Sequence, residues 1–152
     1  MDFRTNVDNQ VYGVRATALI VRDGKIYLCN SASEGIYYAI GGAVEVGETT
    51  EEAVQREVRE EIGCEVRVDK LAFVVENAFC QSGVNFHNIE FHYLVTPVTE
   101  PNTTMVEDNE KRACEWVAID ELDRIDLKPA FLKTALKDWN NNLTHIVNLE
   151  KH

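Results

Sequence analysis

The sequence is poor in the features that mark several large protein classes. It contains three prolines and four cysteines, and no two cysteines form a CxxC pair, which disfavours a zinc site or a thioredoxin motif. No apolar run approaches the roughly 20 residues that a membrane-spanning helix needs. The first residues, MDFRTNVDNQ, include no apolar signal core. We therefore expect a cytoplasmic protein without a membrane segment, in which scattered single cysteines stay reduced.

Positive charge is also scarce. The chain has 15 Lys and Arg side chains against 26 Asp and Glu side chains, a formal net charge of −11. Such a surface repels polyphosphate backbones, so no nucleic-acid polymer is expected as a partner. Small anionic substrates are compatible with this charge when metal ions accompany them. The composition, 45% hydrophobic and 27% charged over 152 residues, predicts one globular domain with a sizeable core.

Apolar runs and turn signals predict several strands. The pair Asp23-Gly24 separates the apolar runs 14–21 and 25–29 and predicts a β-hairpin. The polar segment 100–112 is expected to form a loop. Further strands are expected at 36–40, 65–68, 71–75, 88–98 and 114–118.

Helices are expected at the middle and the end of the chain, at 49–63, 120–125 and 129–140. This order of elements favours an α/β sandwich with helices covering a mixed sheet. We expect a single domain over 1–152, with 1–10 and 141–152 as peripheral tails. Residues 1–10 are expected to be frayed, and the apolar pair Ile146-Val147 is a candidate for a late edge strand.

The central helix is signalled at both ends. Thr49 followed by Glu52 forms a capping box, so Thr49 is the expected N-cap, and Gly63 is placed to end the helix. A stripe that includes Val54 and Val58 faces the expected core. The helix therefore buries one edge and leaves another edge for polar groups.

That other edge carries too many carboxylates for an ordinary surface helix. Glu57, Glu60 and Glu61 fall at i, i+3 and i+4, so a helix places them on one face. Like charges at this spacing cost an isolated helix about 0.2–0.5 kcal/mol per pair. The arrangement predicts that a divalent cation is held there.

The whole stretch 42–64 resembles the Nudix box, the signature of Nudix hydrolases. It carries all seven specified identities at the family's spacing: Gly42, Glu48, Arg56, Glu57, Glu60, Glu61 and Gly63. The resemblance implies a Nudix-type α/β/α sandwich with a mixed β-sheet, in which this stretch forms a loop–helix–loop metal site. It also implies hydrolysis of the pyrophosphate bond in a nucleoside diphosphate linked to another moiety.

The resemblance assigns roles by position in the motif. Glu57, Glu60 and Glu61 are the expected metal ligands, together with the backbone carbonyl of Gly42. Mg²⁺ is the expected ion, with Mn²⁺ as a substitute, because Mg²⁺ takes oxygen ligands from carboxylates, water and substrate phosphates. A further pair, Glu48 and Arg56, resembles the structural ion pair that braces the loop against the helix.

Other functional residues are expected outside the helix face. The catalytic candidates are Glu57 and Glu60, or a carboxylate of the segment Glu107, Asp108 and Glu110, from which we select Glu110. Candidates for substrate binding are Tyr38, Phe86 and His87. Lesser candidates are His92 for the substrate and Glu90 as an extra metal ligand.

Two other functions stay open beside the hydrolase. One is a non-catalytic ligand-binding or regulatory domain of the same fold, although such domains commonly lose glutamates of the box that this chain keeps. The other is an isoprenoid diphosphate isomerase of the same fold, which needs additional catalytic Cys and Glu residues. The residues after the box carry no mark of one substrate subfamily. Relatives often form homodimers, so a homodimer is also an expectation.

Overall fold

A computed structural model describes residues 1–107 and 109–150 of the protein. It has eleven described strands: β1 (Arg4–Val7), β2 (Gln10–Arg22), β3 (Lys25–Ser31), β4 (Ile36–Tyr38), β5 (Ile40–Ala43), β6 (Val66–Gln81), β7 (Val84–Pro97), β8 (Thr104–Glu107), β9 (Glu110–Ala118), β10 (Leu127–Lys128) and β11 (Thr144–Leu149). Helix α1 (Thr50–Ile62), a short 3₁₀ helix (Ile119–Arg124) and helix α2 (Leu132–Lys137) complete the described elements. None of the helices in these ranges is both long and apolar enough to cross a membrane.

The strands form one mixed sheet, in the order β10-β4-β3-β2-β7-β6-β11. Strand β2 runs parallel to β7, and β11 runs parallel to β6, whereas β6 and β7 are antiparallel. Strands β1 and β5 pair with β2 along its other edge, and the β8–β9 hairpin pairs with β3. The predicted α/β/α sandwich with a mixed sheet is therefore confirmed.

Each face of the sheet has its own hydrophobic core. Helix α1 buries Val54, Val58 and Ile62 against one face. Helix α2 and the 3₁₀ helix bury Leu132 and Leu122 against the other. Burying each such aliphatic side chain stabilises the fold by about 1.5–3 kcal/mol. The two cores hold the sheet between its helices.

Locally encoded elements follow the sequence prediction. The turn between β2 and β3 places Asp23 at φ 53 and Gly24 at φ 74, the left-handed geometry that tight hairpins favour. The Thr49 hydroxyl oxygen accepts a hydrogen bond from the Glu52 N–H at 3.0 Å and caps α1. At the other end, Gly63 has φ 59 and closes the helix.

Other expectations were wrong. Residues 1–10 are not frayed, because β1 pairs with β2 and the Phe3 N–H donates to the carbonyl oxygen of Val44. The strands expected at 65–68 and 71–75 form one strand, β6, whose register shifts twice between Val68 and Phe73. These irregularities interrupt the alternation along the strand, so the sequence suggested two shorter strands.

The segment 100–112, expected to be a loop, forms the β8–β9 hairpin. Met105 is its buried apolar residue in β8, and Asn109 has φ 63 in the turn. The polar composition of this segment does not indicate strands, because only alternate residues of β9 face the core. Strand β9 pairs along one edge with β3. Helix α2 is shorter than the range 129–140, and the tail that includes Ile146-Val147 forms the edge strand β11.

The cysteines also depart from expectation. Cys29 in β3 and Cys114 in β9 lie directly opposite each other and are joined as a disulfide, with their Cα atoms 4.1 Å apart. Only Cys64 and Cys80 are free within the described residues. Two residues 85 positions apart in sequence are brought together by strand pairing, which sequence spacing does not reveal.

Candidate active site

A polar cavity of about 460 Å³ opens where α1 passes the end of the sheet. Helix α1, strands β1, β2, β4 and β5, and the β8–β9 hairpin all contribute to its wall. Four arginines and six carboxylates border it: Arg4, Arg15, Arg56, Arg112, Asp2, Glu34, Glu45, Glu57, Glu61 and Glu107. Such a mixture suits a charged ligand that brings cations with it.

The carboxylates of Glu57 and Glu61 lie together, one helical turn apart on α1. Burial and the adjacent Glu57 carboxylate, to which Glu61 is hydrogen-bonded, together raise the pKa of Glu61 to about 8, with Arg15 opposing the increase. The Glu57 carboxylate lies so close to strand β5 that a Cβ atom on Gly42 would collide with it. Glycine at this position therefore lets the helix carboxylate reach the strand backbone.

This pair fits a divalent cation by its donor chemistry. The two carboxylates repel each other, and a cation between them would replace the proton that Glu61 otherwise retains. Within residues 1–107 and 109–150, no three His, Cys, Asp or Glu side chains are already arranged as a complete metal cluster. Mg²⁺ commonly takes only one or two protein carboxylates and completes its shell with water and phosphate oxygens, so the pair is sufficient.

Arg56 organises the base of the cavity. Its Nε and Nη2 atoms donate to the two oxygens of Glu48 at 2.8 and 2.9 Å, so the two residues predicted as an ion pair form a two-point contact. The Nη1 atom donates to Glu57 at 2.9 Å, and Nη2 also donates to the carbonyl oxygen of Ala43 at 3.1 Å. The Arg56 guanidinium lowers the pKa of Glu48. These contacts fix the position of the Glu57 carboxylate.

The third helix glutamate lies apart from this pair. The Glu60 side chain is 59% exposed and accepts one hydrogen bond, from Arg56 Nη1 at 3.2 Å. It does not border the cavity. On the helix face predicted from spacing, the Glu57 and Glu61 carboxylates are thus partly buried, whereas the Glu60 carboxylate faces solvent.

On the opposite wall, Tyr38 and Glu107 were candidates from the sequence, but Arg112, which joins them, was not. Arg112 of β9 donates from Nη1 to the Tyr38 hydroxyl at 2.8 Å and to Glu107 at 2.9 Å. Burial raises the pKa of Tyr38 to about 12, with Glu107 adding to the increase and Arg112 opposing it. The Nε atom of Arg112 is buried and has no hydrogen-bond partner in the described part of the chain. No local signal marks Arg112, because Tyr38 is 74 residues away.

The other predicted residues lie in different surroundings. Tyr38 borders the main cavity, but Glu110 does not, since its carboxylate accepts hydrogen bonds from the Ser33 N–H and hydroxyl group. Phe86 borders a second, smaller cavity, whereas His87 is exposed and borders neither. Asp108 lies outside the described residues.

The two lesser candidates, Glu90 and His92, are buried residues of strand β7. Glu90 is 4% exposed and accepts hydrogen bonds from Asn77 at 3.0 Å and His92 at 2.8 Å. The His92 ring is fully buried beside Phe73 and Phe131. Neither residue borders the main cavity.

The structure combines an α/β/α sandwich with a carboxylate-lined and arginine-lined cavity beside a loop–helix–loop, the arrangement that the resemblance to Nudix hydrolases predicts. Comparison with known proteins identifies the family. A sequence model described as "NUDIX domain" matches residues 11–139. The chain therefore belongs to the Nudix family.

Individual relatives agree with this placement. The nucleoside triphosphatase NudI of Escherichia fergusonii is 30% identical over 126 residues, which cover 76% of this chain and 89% of that protein. The NAD-capped RNA hydrolase NudC of Haemophilus influenzae is 44% identical over 71 residues, 41% of this chain and 27% of that protein. The chain spans less than half of the first two curated relatives that it matches, 44% and 27% of their lengths.

Solved structures show the same fold. The crystal structure of a MutT NUDIX hydrolase from Burkholderia pseudomallei superimposes with a TM-score of 0.62 at 27% identity. The match covers 80% of this chain and 95% of that structure. The cavity described above therefore lies in a Nudix fold.

Proposed function

We propose that this protein hydrolyses the pyrophosphate bond of a nucleoside diphosphate linked to another moiety, with Mg²⁺ as its cofactor. One observation carries the proposal. Two mutually repelling carboxylates, Glu57 and Glu61, lie together at the wall of a polar cavity, and the Glu57 carboxylate lies against Gly42. Arg56 fixes one of them in place.

The proposed metal ligands are Glu57 and Glu61, with the Gly42 carbonyl and the more exposed Glu60. When bound, a divalent cation offsets phosphate charge and makes water a better nucleophile. Mn²⁺ has similar ligand preferences and is the proposed substitute. Arg56 keeps the Glu57 carboxylate in position through the hydrogen bond at 2.9 Å.

A general base is proposed among the carboxylates near the cavity. Glu57 and Glu60 on the helix are two candidates. Both Glu107 and Glu110 pair with Arg112, at 2.9 and 3.4 Å, but Glu107 borders the cavity, whereas Glu110 does not and is engaged by Ser33. Because it borders the cavity, we favour Glu107 over Glu110 as the group that accepts the proton from the attacking water.

The proposed substrate is small and derived from a nucleotide. Four arginines border the cavity and place positive charge beside it, and two of them, Arg4 and Arg15, are the proposed donors to phosphate oxygens. Tyr38 is the proposed contact for the substrate on the hairpin side, with its hydroxyl group held by Arg112. NudI is named a nucleoside triphosphatase and NudC an NAD-capped RNA hydrolase, which supports a nucleotide-derived substrate. A cytoplasmic location and a homodimer remain predictions.

The test is a hydrolysis screen with purified protein. A panel of nucleoside triphosphates and nucleoside diphosphate sugars is incubated with Mg²⁺, with Mn²⁺, or with EDTA. We expect metal-dependent release of a nucleotide product from at least one compound, and a loss of about 100-fold or more in Glu61→Gln, since the metal loses a charged ligand.

The matched control is Glu51→Gln, which removes an exposed glutamate from the first turn of the same helix. We expect this variant to keep the wild-type rate. Unchanged turnover in Glu61→Gln would contradict the site assignment. Tight binding of a panel member without turnover would instead support a non-catalytic binding domain.

A further inference from the structure

A second cavity, of about 120 Å³, adjoins the main cavity. Its wall is mostly apolar and contains three phenylalanines, Phe3, Phe79 and Phe86, with Asn88 beside them. The two cavities share three wall residues, which are Arg4, Arg15 and Ala43. A ligand can therefore extend from one cavity into the other past two guanidinium groups.

Strand register explains how this surface is assembled. Residues paired across neighbouring strands lie on the same face of a sheet. Strands β2, β7 and β6 align three successive rows on one face: Val11–Phe86–Phe79, Gly13–Asn88–Asn77 and Arg15–Glu90–Val75. The face thus changes from an aromatic row to an amide row and then to a row in which Arg15 lies beside the buried Glu90.

The aromatic row already has the geometry of a stacking platform. The rings of Phe79 and Phe86 are stacked, with centroids 5.0 Å apart and planes inclined by 11°. Phe3 of the N-terminal segment borders the same cavity and is 48% exposed. Aromatic faces that stay open to a cavity can stack on a planar base.

The two shared arginines are distinct from the other arginines of the site. Arg56 and Arg112 each bind carboxylates in the cavity wall. In contrast, no described carboxylate within residues 1–107 and 109–150 forms an ion pair with Arg4 or Arg15. Arg15 lies near enough to Glu61 and Glu90 to lower the pKa of both carboxyl groups, but neither forms a close ion pair with it among the described residues. In a chain of net charge −11, guanidinium groups without such a pair at the junction of two cavities are suited to an external anion.

We propose that the smaller cavity binds the nucleobase of the substrate, stacked on Phe86. Arg4 and Arg15 then hold the phosphates between the base and the Glu57–Glu61 pair. This inference rests on the proposed function, since it assigns the orientation of the same substrate. The smaller cavity, of about 120 Å³, then takes the base, and the larger cavity, of about 460 Å³, takes the diphosphate and the group beyond it.

The test uses ligands that contain no pyrophosphate bond. AMP, GMP, CMP, UMP and ribose 5-phosphate are titrated into the wild-type protein with Mg²⁺ present, and binding is measured by calorimetry. Base–aromatic stacking contributes about 1–3 kcal/mol, so we expect at least one nucleotide to bind about tenfold or more tightly than ribose 5-phosphate.

Variants assign this preference to the cavity. Phe86→Ala should remove the preference for the nucleotide and leave ribose 5-phosphate binding unchanged, whereas Arg15→Gln should weaken both ligands. Phe86→Leu keeps apolar volume without the ring and serves if the alanine variant unfolds. The matched control is Tyr12→Ala, an aromatic side chain of β2 that is 49% exposed and borders neither cavity.

The outcomes separate this inference from the proposed function. Equal binding of ribose 5-phosphate and all four nucleotides would overturn the base site, as would an unchanged preference in both Phe86 variants. Either result is compatible with metal-dependent hydrolysis in the screen above. A nucleotide preference that depends on Phe86 would support the base site even if the hydrolysis screen were negative.

Discussion

Two arginines anchor opposite walls of the same cavity, and they are held in different ways. Arg56 contacts Glu48, Glu57 and the carbonyl of Ala43, all within 13 residues along the chain. Arg112 contacts Glu107 five residues away, but its bond to Tyr38 spans 74 residues. One wall is therefore a local structure, and the other depends on long-range strand pairing.

The two clusters also differ in exposure. The partners of Arg56 are enclosed, since the side chains of Glu48 and Glu57 are 14% and 13% exposed. The Glu107 carboxylate, which pairs with Arg112, is 45% exposed. If Arg112 is removed, Glu107 can turn toward water, whereas Glu48 and Glu57 have less access to solvent. Removing the arginine should consequently destabilise the helix wall more than the hairpin wall.

The largest effect on stability is expected for Arg56→Met. This variant leaves two poorly exposed carboxylates without their cation, which should lower the free energy of unfolding by about 3 kcal/mol. Urea denaturation at neutral pH measures the change. The control is Arg59→Ala, whose partner Glu65 is half exposed, and it should have little effect. Equal losses in the two variants would show that the Arg56 contacts are not specific.

A smaller effect is expected for Arg112→Met. The variant loses the hydrogen bonds to Tyr38 and Glu107, but Glu107 can turn toward water. We therefore expect the free energy of unfolding to fall by about 1–2 kcal/mol in the same measurement. Tyr38→Phe removes the hydroxyl contact alone and should cost less than Arg112→Met. If Arg112→Met cost more than Arg56→Met, the comparison between the two walls would be wrong.

The cap of α1 tests the local wall without touching its ion pairs. Thr49→Ala removes the oxygen that accepts from the Glu52 N–H at 3.0 Å, which should cost about 1 kcal/mol in thermal or urea unfolding. Thr49→Ser keeps the acceptor and should lie close to the wild type. A loss in the serine variant as large as in the alanine variant would argue against capping as the cause.

The smallest effect is expected in the pH dependence of stability. The Arg56 guanidinium lowers the pKa of Glu48 below its usual value, so this contribution is complete above the unfolded pKa. It is lost as the pH falls through the lower, folded pKa. Between about pH 6 and about pH 3, the metal-free wild type should lose more stability than Glu48→Gln. Parallel pH profiles would show that Glu48 does not contribute.

The sequence predicted those structural features that are determined by residues close to one another along the chain. The hairpin at Asp23-Gly24, the cap at Thr49 and the end of α1 at Gly63 all depend on residues a few positions apart. The pairing of Glu57 with Glu61 follows from helical spacing, and its role follows from the motif. Spacing could not tell that Glu60 faces solvent, since this depends on where the strands and the β8–β9 hairpin lie.

What the sequence did not predict depends on distant partners. The β8–β9 hairpin is stabilised by pairing with β3, and the contact of Cys29 with Cys114 belongs to the same pairing. Phe86 was recognised as an aromatic candidate, but Phe3 was not, because it lies in a polar segment expected to be frayed. The second cavity exists only after β1 and the long hairpin of β6 and β7 come together.

The N-terminal segment borders both cavities and is attached to the fold through backbone hydrogen bonds. Residues 1–7 contribute Phe3 and Arg4 to the cavity walls, and they contact the chain through backbone bonds such as Phe3 N–H to Val44 O. Backbone bonds place few demands on side-chain identity. Ligand preference can therefore be altered through side-chain changes in one short strand without any change in the glutamate-bearing helix.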